Sequence, residues 1–378
     1  MSVLTSAEIQ PHNGRLRLTW ADGRVDELSP LWLLDNDPAF RHPRTNQRLR
    51  ELRSLPTAPR LSSVALVDRG LALRWADDLP DTVYPVAWLD EHTPQTPRNG
   101  HRPWGAELQA RLPAVAFDVL AFDHGQRQVL DDLHRLGWAR VRGVPLESGQ
   151  VLALARRFGF VRATNYGELF DVISKPEAEH LAYTGVELAV HTDNPYRDKV
   201  PGVQILHCLN CSRDGGGETV LVDGFAAVQA LQARDPEAVR TLAELAVPFR
   251  YRDRDNDLRW TRPLVELGRD GRPVAVAFND RSMAPLPFGA QDTERFYAAY
   301  RAFADIVHAP ESEVRFLLEP GDAIIFDNQR VLHGRGAYDG RTGLRHLQGC
   351  YADRDAFDSR RRMLTGITTQ GPAPYMPV

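Results

Sequence analysis

Short apolar segments separated by turn signals run through the second part of the chain, and this pattern limits the fold more than any other feature. "PGVQILHCL", "GETVLVDG" and "LRHLQGCYAD" are typical of buried strands, and "VRFLLEPGDAIIFDNQRVLHGR" predicts a strand, a Pro-Gly-Asp turn, a strand and a loop. Helices are predicted between them, in "QVLDDLHRLGW", "GFAAVQALQARDPEAVRTLAEL" and "TERFYAAYRAFADIVHA", and Ser148 is the predicted N-cap of "GQVLALARRFG". We therefore expect a mainly β fold with packing helices, a jelly-roll barrel.

The first hundred residues predict a separate, small β-rich domain. "LRLTWADGRV" alternates apolar and polar residues around an Asp-Gly hairpin signal, and "LALRWADDLP" repeats this cadence. "HTPQTPRNGHRPWG" is rich in proline, threonine and glycine and is typical of a linker. We expect a domain over residues 1–95 and a larger one over residues 106–378.

The charge balance excludes some classes of partner. The 378 residues carry a net charge of −4, whereas binding to nucleic acid or an anionic membrane requires a basic surplus. No apolar run of membrane-spanning length and no secretory leader is found in the sequence. The three cysteines are too few for a disulfide framework, so we expect a cytoplasmic protein.

The segment "HTDNPYRD" contains the first chemical signal. His191 and Asp193 are two residues apart, so on a strand they would project from one face. A pair of this kind is also found in capped turns and on surfaces. However, His333 follows a predicted buried strand, and two histidines with one carboxylate bind Fe(II) and leave positions open for a 2-oxo acid and O2. Arg345 is placed to bind the far carboxylate of that acid.

Several motifs together resemble a known family of enzymes. They are "LAYTGVELAVHTDNPYRDKVPGVQILHCL", "GGGETVLVDGF", "FNDRSMAP", "GDAIIFDNQRVLHGR" and "RHLQGCYADRD". The chain resembles the Fe(II)- and 2-oxoglutarate-dependent dioxygenases of the taurine dioxygenase superfamily, in particular the γ-butyrobetaine dioxygenase branch. The resemblance implies that His191, Asp193 and His333 bind iron, that Arg345 binds 2-oxoglutarate, and that the protein is a homodimer. It also implies hydroxylation of γ-butyrobetaine to L-carnitine, with succinate and CO2 as the other products.

The resemblance extends to the substrate. Members of the branch surround a trimethylammonium group with aromatic side chains, and the matching positions here are Tyr166, Phe170, Tyr183 and Tyr351. Ring faces suit a cation that cannot donate a hydrogen bond, although four aromatics in a barrel could also be core residues. Asn279 matches a residue that binds the substrate carboxylate, and His180 replaces its usual asparagine partner. Asp280 is a further departure, since the branch commonly has a polar neutral residue at this position. A buried carboxylate there would repel the substrate's acid group, and a protonated His180 could offset this repulsion.

These departures leave three functions open. The first is hydroxylation of γ-butyrobetaine. The second is the same chemistry on another quaternary ammonium compound, such as a trimethylammonium phosphonate or trimethyllysine. The third, of a different class, is a non-catalytic jelly-roll binding protein, since a fold does not fix a function.

Cysteine usage predicts that no zinc is bound. Relatives hold zinc in the N-terminal domain with three cysteines and a histidine, whereas this chain has Asp37, Ala39, His42 and His92 at those places. Structural zinc prefers a closed set of four cysteine or histidine ligands. The Cys-x-x-Cys formed by Cys208 and Cys211 has no second pair to complete a site, so we expect both cysteines to be structural.

Overall fold

The computed structural model describes residues 2–68, 70–76, 78–93, 100–173, 187–211, 216–338 and 345–365. The chain divides into two compact units, one formed mainly by residues 1–99 and one by residues 100–367.

The first unit contains two antiparallel three-stranded sheets, each followed by a short helix. Their elements are β1 (Leu4–Ile9), β2 (Leu16–Trp20), β3 (Val25–Leu28) and α1 (Pro30–Asp35), then β4 (Leu61–Val67), β5 (Gly70–Trp75), β6 (Thr82–Tyr84) and α2 (Val86–His92). The repeated cadence of the sequence therefore corresponds to a repeated order of elements. Leu16, Leu18, Leu71 and Leu73 are fully buried, so the alternate residues of β2 and β5 form a core within this unit.

The second unit is built from fifteen strands and six helices in its described residues. Its strands are β7 (Val115–Ala116), β8 (Trp138–Arg142), β9 (Val161–Arg162), β10 (Phe170–Ile173), β11 (Leu188–His191), β12 (Val203–Asn210), β13 (Thr219–Asp223), β14 (Ala246–Arg252), β15 (Asp257–Pro263), β16 (Val265–Leu267), β17 (Pro273–Val276), β18 (Glu313–Phe316), β19 (Ala323–Asp327), β20 (Val331–Arg335) and β21 (His346–Ala352). Its helices are α3 (Asp123–Leu136), α4 (Gln150–Arg156), α5 (Gly224–Arg234), α6 (Pro236–Glu244), α7 (Ala290–Val307) and α8 (Arg354–Thr365).

Two sheets of this unit form a jelly roll. The larger sheet has the order β10-β21-β12-β19-β8-β7, with β9 also paired to β21, and the smaller has the order β11-β20-β13-β18. Side chains alternate between the two faces of each strand. On β12, Val203 and Ile205 pack outward with α3 and α4, while Gln204 and Leu206 line an internal cavity. The expected mainly β fold with packing helices is confirmed.

Three apolar clusters hold the second unit together. Helices α5, α6 and α7 pack with residues of the smaller sheet, among them Val222 and Leu332. Helices α3, α4 and α8 pack with the larger sheet. A third cluster, which contains Trp138, Phe316 and Phe326, combines residues of both sheets, so the jelly roll has an apolar interior beside its cavity.

Local structure differs from the sequence predictions at two helices. Gly149, with a φ of 86°, occupies the N-cap of α4, so the prediction of Ser148 was wrong. The Ser148 hydroxyl instead accepts a hydrogen bond of 2.9 Å from the Gln348 amide, whose oxygen accepts from the Gly149 N–H. The single long helix predicted after β13 is broken into α5 and α6 at Asp235, because Pro236 cannot continue the first helix and begins the second.

In the described part of the chain, no helix combines the length and the apolar character needed to cross a membrane. Cys208 is buried in β12, where its thiol donates to the Leu318 carbonyl at 3.6 Å and burial raises its pKa to about 12. Both properties are those of an inert structural thiol.

Candidate metal centre and active site

The two predicted iron-binding histidines lie opposite each other on neighbouring strands. His191 is the last residue of β11 and pairs in register with His333 on β20. Directly opposed residues of an antiparallel pair approach closely, and the two imidazole ring centroids are 4.5 Å apart. The sequence predicted a loop around His333, but this residue lies inside a strand, whose register fixes its position relative to His191.

Asp193 joins the histidines through a turn. Strand β11 ends at His191, so the expectation that the two side chains share one strand face was wrong. The chain turns directly afterwards, and Asn194 adopts a φ of 58°. The Asp193 Oδ1 atom lies 3.2 Å from His191 Nε2, and Oδ2 lies 3.8 Å from His333 Nε2. The three ligand atoms fall within 4.8 Å of one another, close enough to share one ion.

The protonation states of these groups suit a divalent metal. His191 Nδ1 lies 2.9 Å from the Ala189 carbonyl, which can only accept, so Nδ1 carries the proton and Nε2 has a free lone pair. Burial, together with the nearby His191, lowers the pKa of His333 to about 3, so its ring is neutral. Burial alone would raise the pKa of Asp193, but the neighbouring His191 and His333 rings and the hydrogen bond from the Tyr351 hydroxyl lower it, so this carboxyl is ionised. Two neutral nitrogens and one anionic oxygen match the ligand set of non-haem Fe(II) oxygenases.

Asn328 holds the backbone of Asp193 in place. The sequence analysis did not identify this residue. Its fully buried side chain accepts from the Asp193 N–H at 2.7 Å and donates to the Asp193 carbonyl at 3.0 Å. It also donates to the Pro201 carbonyl at 3.0 Å. Asn328 belongs to the turn between β19 and β20, five residues before His333, so one short segment positions two of the three metal-ligand candidates. Asn328 and Asp193 are 135 residues apart in the sequence, so no local pattern indicates that they are in contact.

A cavity of about 290 Å³ opens beside the three ligand candidates. Inward-facing side chains of both sheets line it. From the larger sheet these are Phe170, Val172, Gln204, Leu206, Ile324, Leu347 and Tyr351, and from the smaller sheet Leu188, His191, Thr219, His333 and Arg335. The size and position of the cavity are those expected of a small-molecule site.

Arg345 lines this cavity just before β21 and is 7% exposed. Among the described residues, no hydrogen bond or ion pair joins its guanidinium to another side chain, and the ring of Tyr338 lies 5.8 Å away. A buried cation of this kind favours an anionic ligand. Arg345 and Tyr351 both line the cavity. They are six residues apart, so their Cα atoms are roughly 20 Å apart in an extended chain.

Arg335 is a second cavity arginine, and the sequence analysis did not identify it. It follows His333 by two residues on β20 and so shares its strand face. Burial and the neighbouring Arg345 lower the pKa of Arg335 to about 10. The alternation of "VLHGR" could have indicated this residue, because a strand that carries His333 inward also carries Arg335 inward.

Three of the four predicted cage aromatics line the cavity: Tyr166, Phe170 and Tyr351. The ring centroids of Phe170 and Tyr351 are 5.1 Å apart, and those of Tyr166 and Phe170 are 6.4 Å apart. Gly349 leaves room for the Phe170 ring, since a Cβ there would lie 2.4 Å from it. Tyr183, the fourth, lies outside the described residues, as does His180.

Two further tyrosines complete the aromatic wall and were missed. Tyr196 and Tyr251 line the cavity with their rings stacked at 5.2 Å. Tyr251 also contacts Tyr166 edge to face at 6.0 Å. Tyr196 belongs to the "HTDNPYRD" segment and could have been found through its closeness to Asp193, whereas Tyr251 lies on β14, far from any motif.

Asn279 also lines the cavity, but its side chain has structural partners. Its amide donates to the Thr192 carbonyl at 2.9 Å, and its oxygen accepts from the Ser282 N–H at 3.2 Å, which leaves one amide N–H for a ligand. Asp280 is exposed and does not line the cavity, so it is not the buried carboxylate beside the substrate that the sequence analysis considered. The next residue, Arg281, does line the cavity and had not been identified.

The positions that correspond to a zinc site in relatives have other partners. The Asp37 carboxylate accepts from the Ala39 N–H at 2.9 Å and from the Thr82 hydroxyl at 2.7 Å. His92 Nδ1 lies 2.9 Å from the Trp88 carbonyl, and the two rings are stacked at 4.2 Å. The absence of zinc from this unit stays a prediction.

Comparisons with known proteins identify the family. The family model "Taurine catabolism dioxygenase TauD, TfdA family" matches residues 91–351. A γ-butyrobetaine dioxygenase of Pseudomonas sp. strain AK-1 is 37% identical over 355 residues, which is 91% of this chain and 92% of the relative. The mitochondrial trimethyllysine dioxygenase of Gallus gallus is 30% identical over 370 residues, which is 94% of this chain and 87% of the relative.

The fold is similar to that of a solved structure, AAD-2 in complex with Mn(II) and N-oxalylglycine. The TM-score is 0.50 at 17% sequence identity, over 61% of this chain and 89% of that chain. This likeness concerns the fold alone. The family match, the relative that is 37% identical over most of the chain and the His-Asp-His cluster lead to one conclusion: the chain belongs to the TauD/TfdA family and is an Fe(II)- and 2-oxoglutarate-dependent dioxygenase.

Proposed function

We propose that this dioxygenase hydroxylates a trimethylammonium substrate, with γ-butyrobetaine as the first candidate and L-carnitine as the product. The observation that supports this most strongly is one cavity that contains the His-Asp-His cluster, a buried arginine and an aromatic wall. The relative from Pseudomonas, which is similar over nearly its whole length, is named for γ-butyrobetaine.

In this proposal His191, Asp193 and His333 hold Fe(II), and Arg345 binds the distal carboxylate of 2-oxoglutarate. The bound metal, with 2-oxoglutarate and O2, supplies an oxidant able to hydroxylate an unactivated carbon, with succinate and CO2 as by-products. The chain contributes position and environment. Arg345 orients the cosubstrate through a bidentate pair, and the apolar side chains Leu206, Ile324 and Leu347 limit the access of water.

The aromatic wall is the proposed site of the trimethylammonium group. Tyr166, Phe170 and Tyr351 offer ring faces, and each cation–π contact contributes roughly 0.5–2 kcal/mol. We also propose that Tyr183 and His180 take part in substrate binding, by resemblance to the γ-butyrobetaine branch. At the other end of the substrate, the free amide N–H of Asn279 is the proposed partner of the acid group.

A second candidate is the same reaction on another quaternary ammonium compound. It is supported by the similarity to a trimethyllysine dioxygenase over 94% of the chain. A trimethylammonium phosphonate remains a substrate to test, because His180 departs from the family pattern. The non-catalytic alternative is not supported, because the chain belongs to a dioxygenase family and has the complete ligand set.

The chemistry is tested by formation of succinate. Purified protein with Fe(II), 2-oxoglutarate and O2 is incubated with γ-butyrobetaine, trimethyllysine and a trimethylammonium phosphonate, and the product mass is checked for one added oxygen. We expect substrate-dependent succinate with at least one of these compounds and none with Asp193→Ala, which lacks the anionic ligand. Turnover by Asp193→Ala comparable to that of the wild-type protein would contradict the proposed ligand set.

The cage is tested with a substrate that differs only in its cation. A primary amine retains its hydration or requires hydrogen-bond acceptors, which ring faces supply poorly. We expect kcat/KM for γ-aminobutyrate to be at least about tenfold lower than for γ-butyrobetaine, a difference of about 1.4 kcal/mol. Tyr166→Ala should remove much of this preference and Tyr166→Phe should retain it. Equal turnover of both compounds by the wild-type protein would show that the aromatics are core residues only.

We further propose that the protein works as a homodimer in the cytoplasm, with residues 1–95 as an accessory domain and residues 106–378 as the catalytic domain. The resemblance to the γ-butyrobetaine branch supports the dimer, and the unpaired state of Cys208, Cys211 and Cys350 is compatible with a reducing compartment. Light scattering on the purified protein tests the dimer, since a monomer mass of 42.5 kDa would contradict it.

A further inference from the structure

The hydroxyl of Tyr351 reaches one of the candidate metal ligands. It donates to Asp193 Oδ2 over 2.7 Å, and the side chain is 4% exposed. Tyr351 lies on β21 of the larger sheet, whereas Asp193 follows β11 of the smaller sheet. The hydrogen bond therefore connects the two sheets at the His-Asp-His cluster.

This bond distinguishes the two oxygens of the carboxylate. Oδ2 is taken by the Tyr351 hydroxyl, at a length typical of a hydrogen bond to an ionised acceptor. Oδ1 lies 3.2 Å from His191 Nε2.

We infer that Tyr351 is a positioning residue for Asp193, whose hydroxyl holds the carboxylate so that Oδ1 is the oxygen offered to the metal. The inference rests on the metal site of the proposed function and adds a residue to it. A carboxylate with both oxygens free can rotate or bind in bidentate fashion, which would occupy a position needed by the cosubstrate or O2.

Tyr351 thus has two separable parts. Its ring lines the cavity and stacks on Phe170 at 5.1 Å, as a cage residue would. Its hydroxyl donates a hydrogen bond to the carboxylate of Asp193. The change Tyr351→Phe removes the second part and keeps the first, so a role in substrate binding alone predicts no effect of this change on metal affinity.

The experiment is titration of the metal-free full-length protein with Mn(II), with free Mn(II) followed by electron paramagnetic resonance. Loss of a partner that orients a metal ligand usually weakens metal binding by about 10–100-fold, and we expect a rise of the Kd in this range for Tyr351→Phe. The control is Tyr251→Phe, which removes a hydroxyl from the same cavity wall. That hydroxyl donates to Asp253 at 2.9 Å, and the variant should bind Mn(II) like the wild-type protein.

A second measurement distinguishes a change in the coordination of the metal from a general loss of folded structure. The visible spectrum of bound Co(II) reports the coordination of the ion, and we expect it to change in Tyr351→Phe and not in Tyr251→Phe. Circular dichroism of the metal-free variants verifies that each is folded. Equal Mn(II) affinity and equal Co(II) spectra for Tyr351→Phe and the wild-type protein would overturn the role of Tyr351 alone. Failure of the folded wild-type protein to bind Mn(II) would instead contradict the proposed metal site.

Discussion

At the scale of single residues, Arg345 presents a guanidinium to the cavity with no anionic partner among the described residues. We expect Arg345→Ala to lower kcat/KM for 2-oxoglutarate by about 30-fold or more, since losing one partner of a buried ionic pair costs about 2–5 kcal/mol. Arg345→Lys keeps the charge without the bidentate geometry and should give an intermediate loss. Steady-state kinetics with each substrate varied in turn measures this, and the KM for the betaine should change much less. If the KM for 2-oxoglutarate stays within about twofold, Arg335 or another residue binds the cosubstrate.

At the scale of secondary-structure elements, a buried ion pair between Asp223 and Arg330 connects the end of β13 to the turn before β20. The Arg330 guanidinium donates to both Asp223 oxygens at 3.0 and 2.8 Å, and the carboxylate also caps α5 through the Phe225 N–H. Both side chains are at most 1% exposed. We expect Asp223→Asn to lower the free energy of unfolding by about 3–5 kcal/mol, because it leaves the Arg330 charge buried and unpaired. Urea denaturation measures this value.

The matched control for this element is an exposed ion pair. Glu237 pairs with Arg240 at 2.8 Å on α6, with more than half of each side chain exposed. Water screens such a pair, so Glu237→Gln should change the free energy of unfolding by less than about 1 kcal/mol. Similar effects of the two substitutions would show that the Asp223 pair contributes no more than a surface contact.

At the scale of the whole molecule, the cavity and its metal-ligand candidates belong to one of the two compact units. His191, Asp193, His333 and Arg345 all lie in the second unit, which has its own apolar clusters. We therefore expect a fragment of residues 100–378 to fold and to bind Mn(II) with a Kd within a factor of about three of that of the full chain. Calorimetric titration of both proteins tests this, with Asp193→Ala in the fragment as the negative control. A folded fragment that binds Mn(II) more than about tenfold more weakly would show that the first unit is required.

The sequence alone determined the class of the fold and the candidate residues of the site. The residues His191, Asp193, His333 and Arg345 could be chosen as candidates because their residue types suit Fe(II) and a dicarboxylate, and alternating apolar runs predicted the strands. The Asp-Gly turn and the repeated cadence likewise predicted the hairpins of the first unit, because these signals act between residues that are close in sequence.

Only the tertiary structure decided how these residues meet. Asp193 reaches the histidines through a turn, Asn328 fixes its backbone across 135 residues, and Tyr351 binds its carboxylate across 158. Tyr251, on β14 and far from any motif, lines the cavity for the same reason. Such contacts depend on the register of strands and on the packing of two sheets, which bring together segments whose local sequences carry no sign of one another. A one-residue change of register would turn these side chains to the opposite face, so their positions are properties of the assembled jelly roll and not of any segment within it.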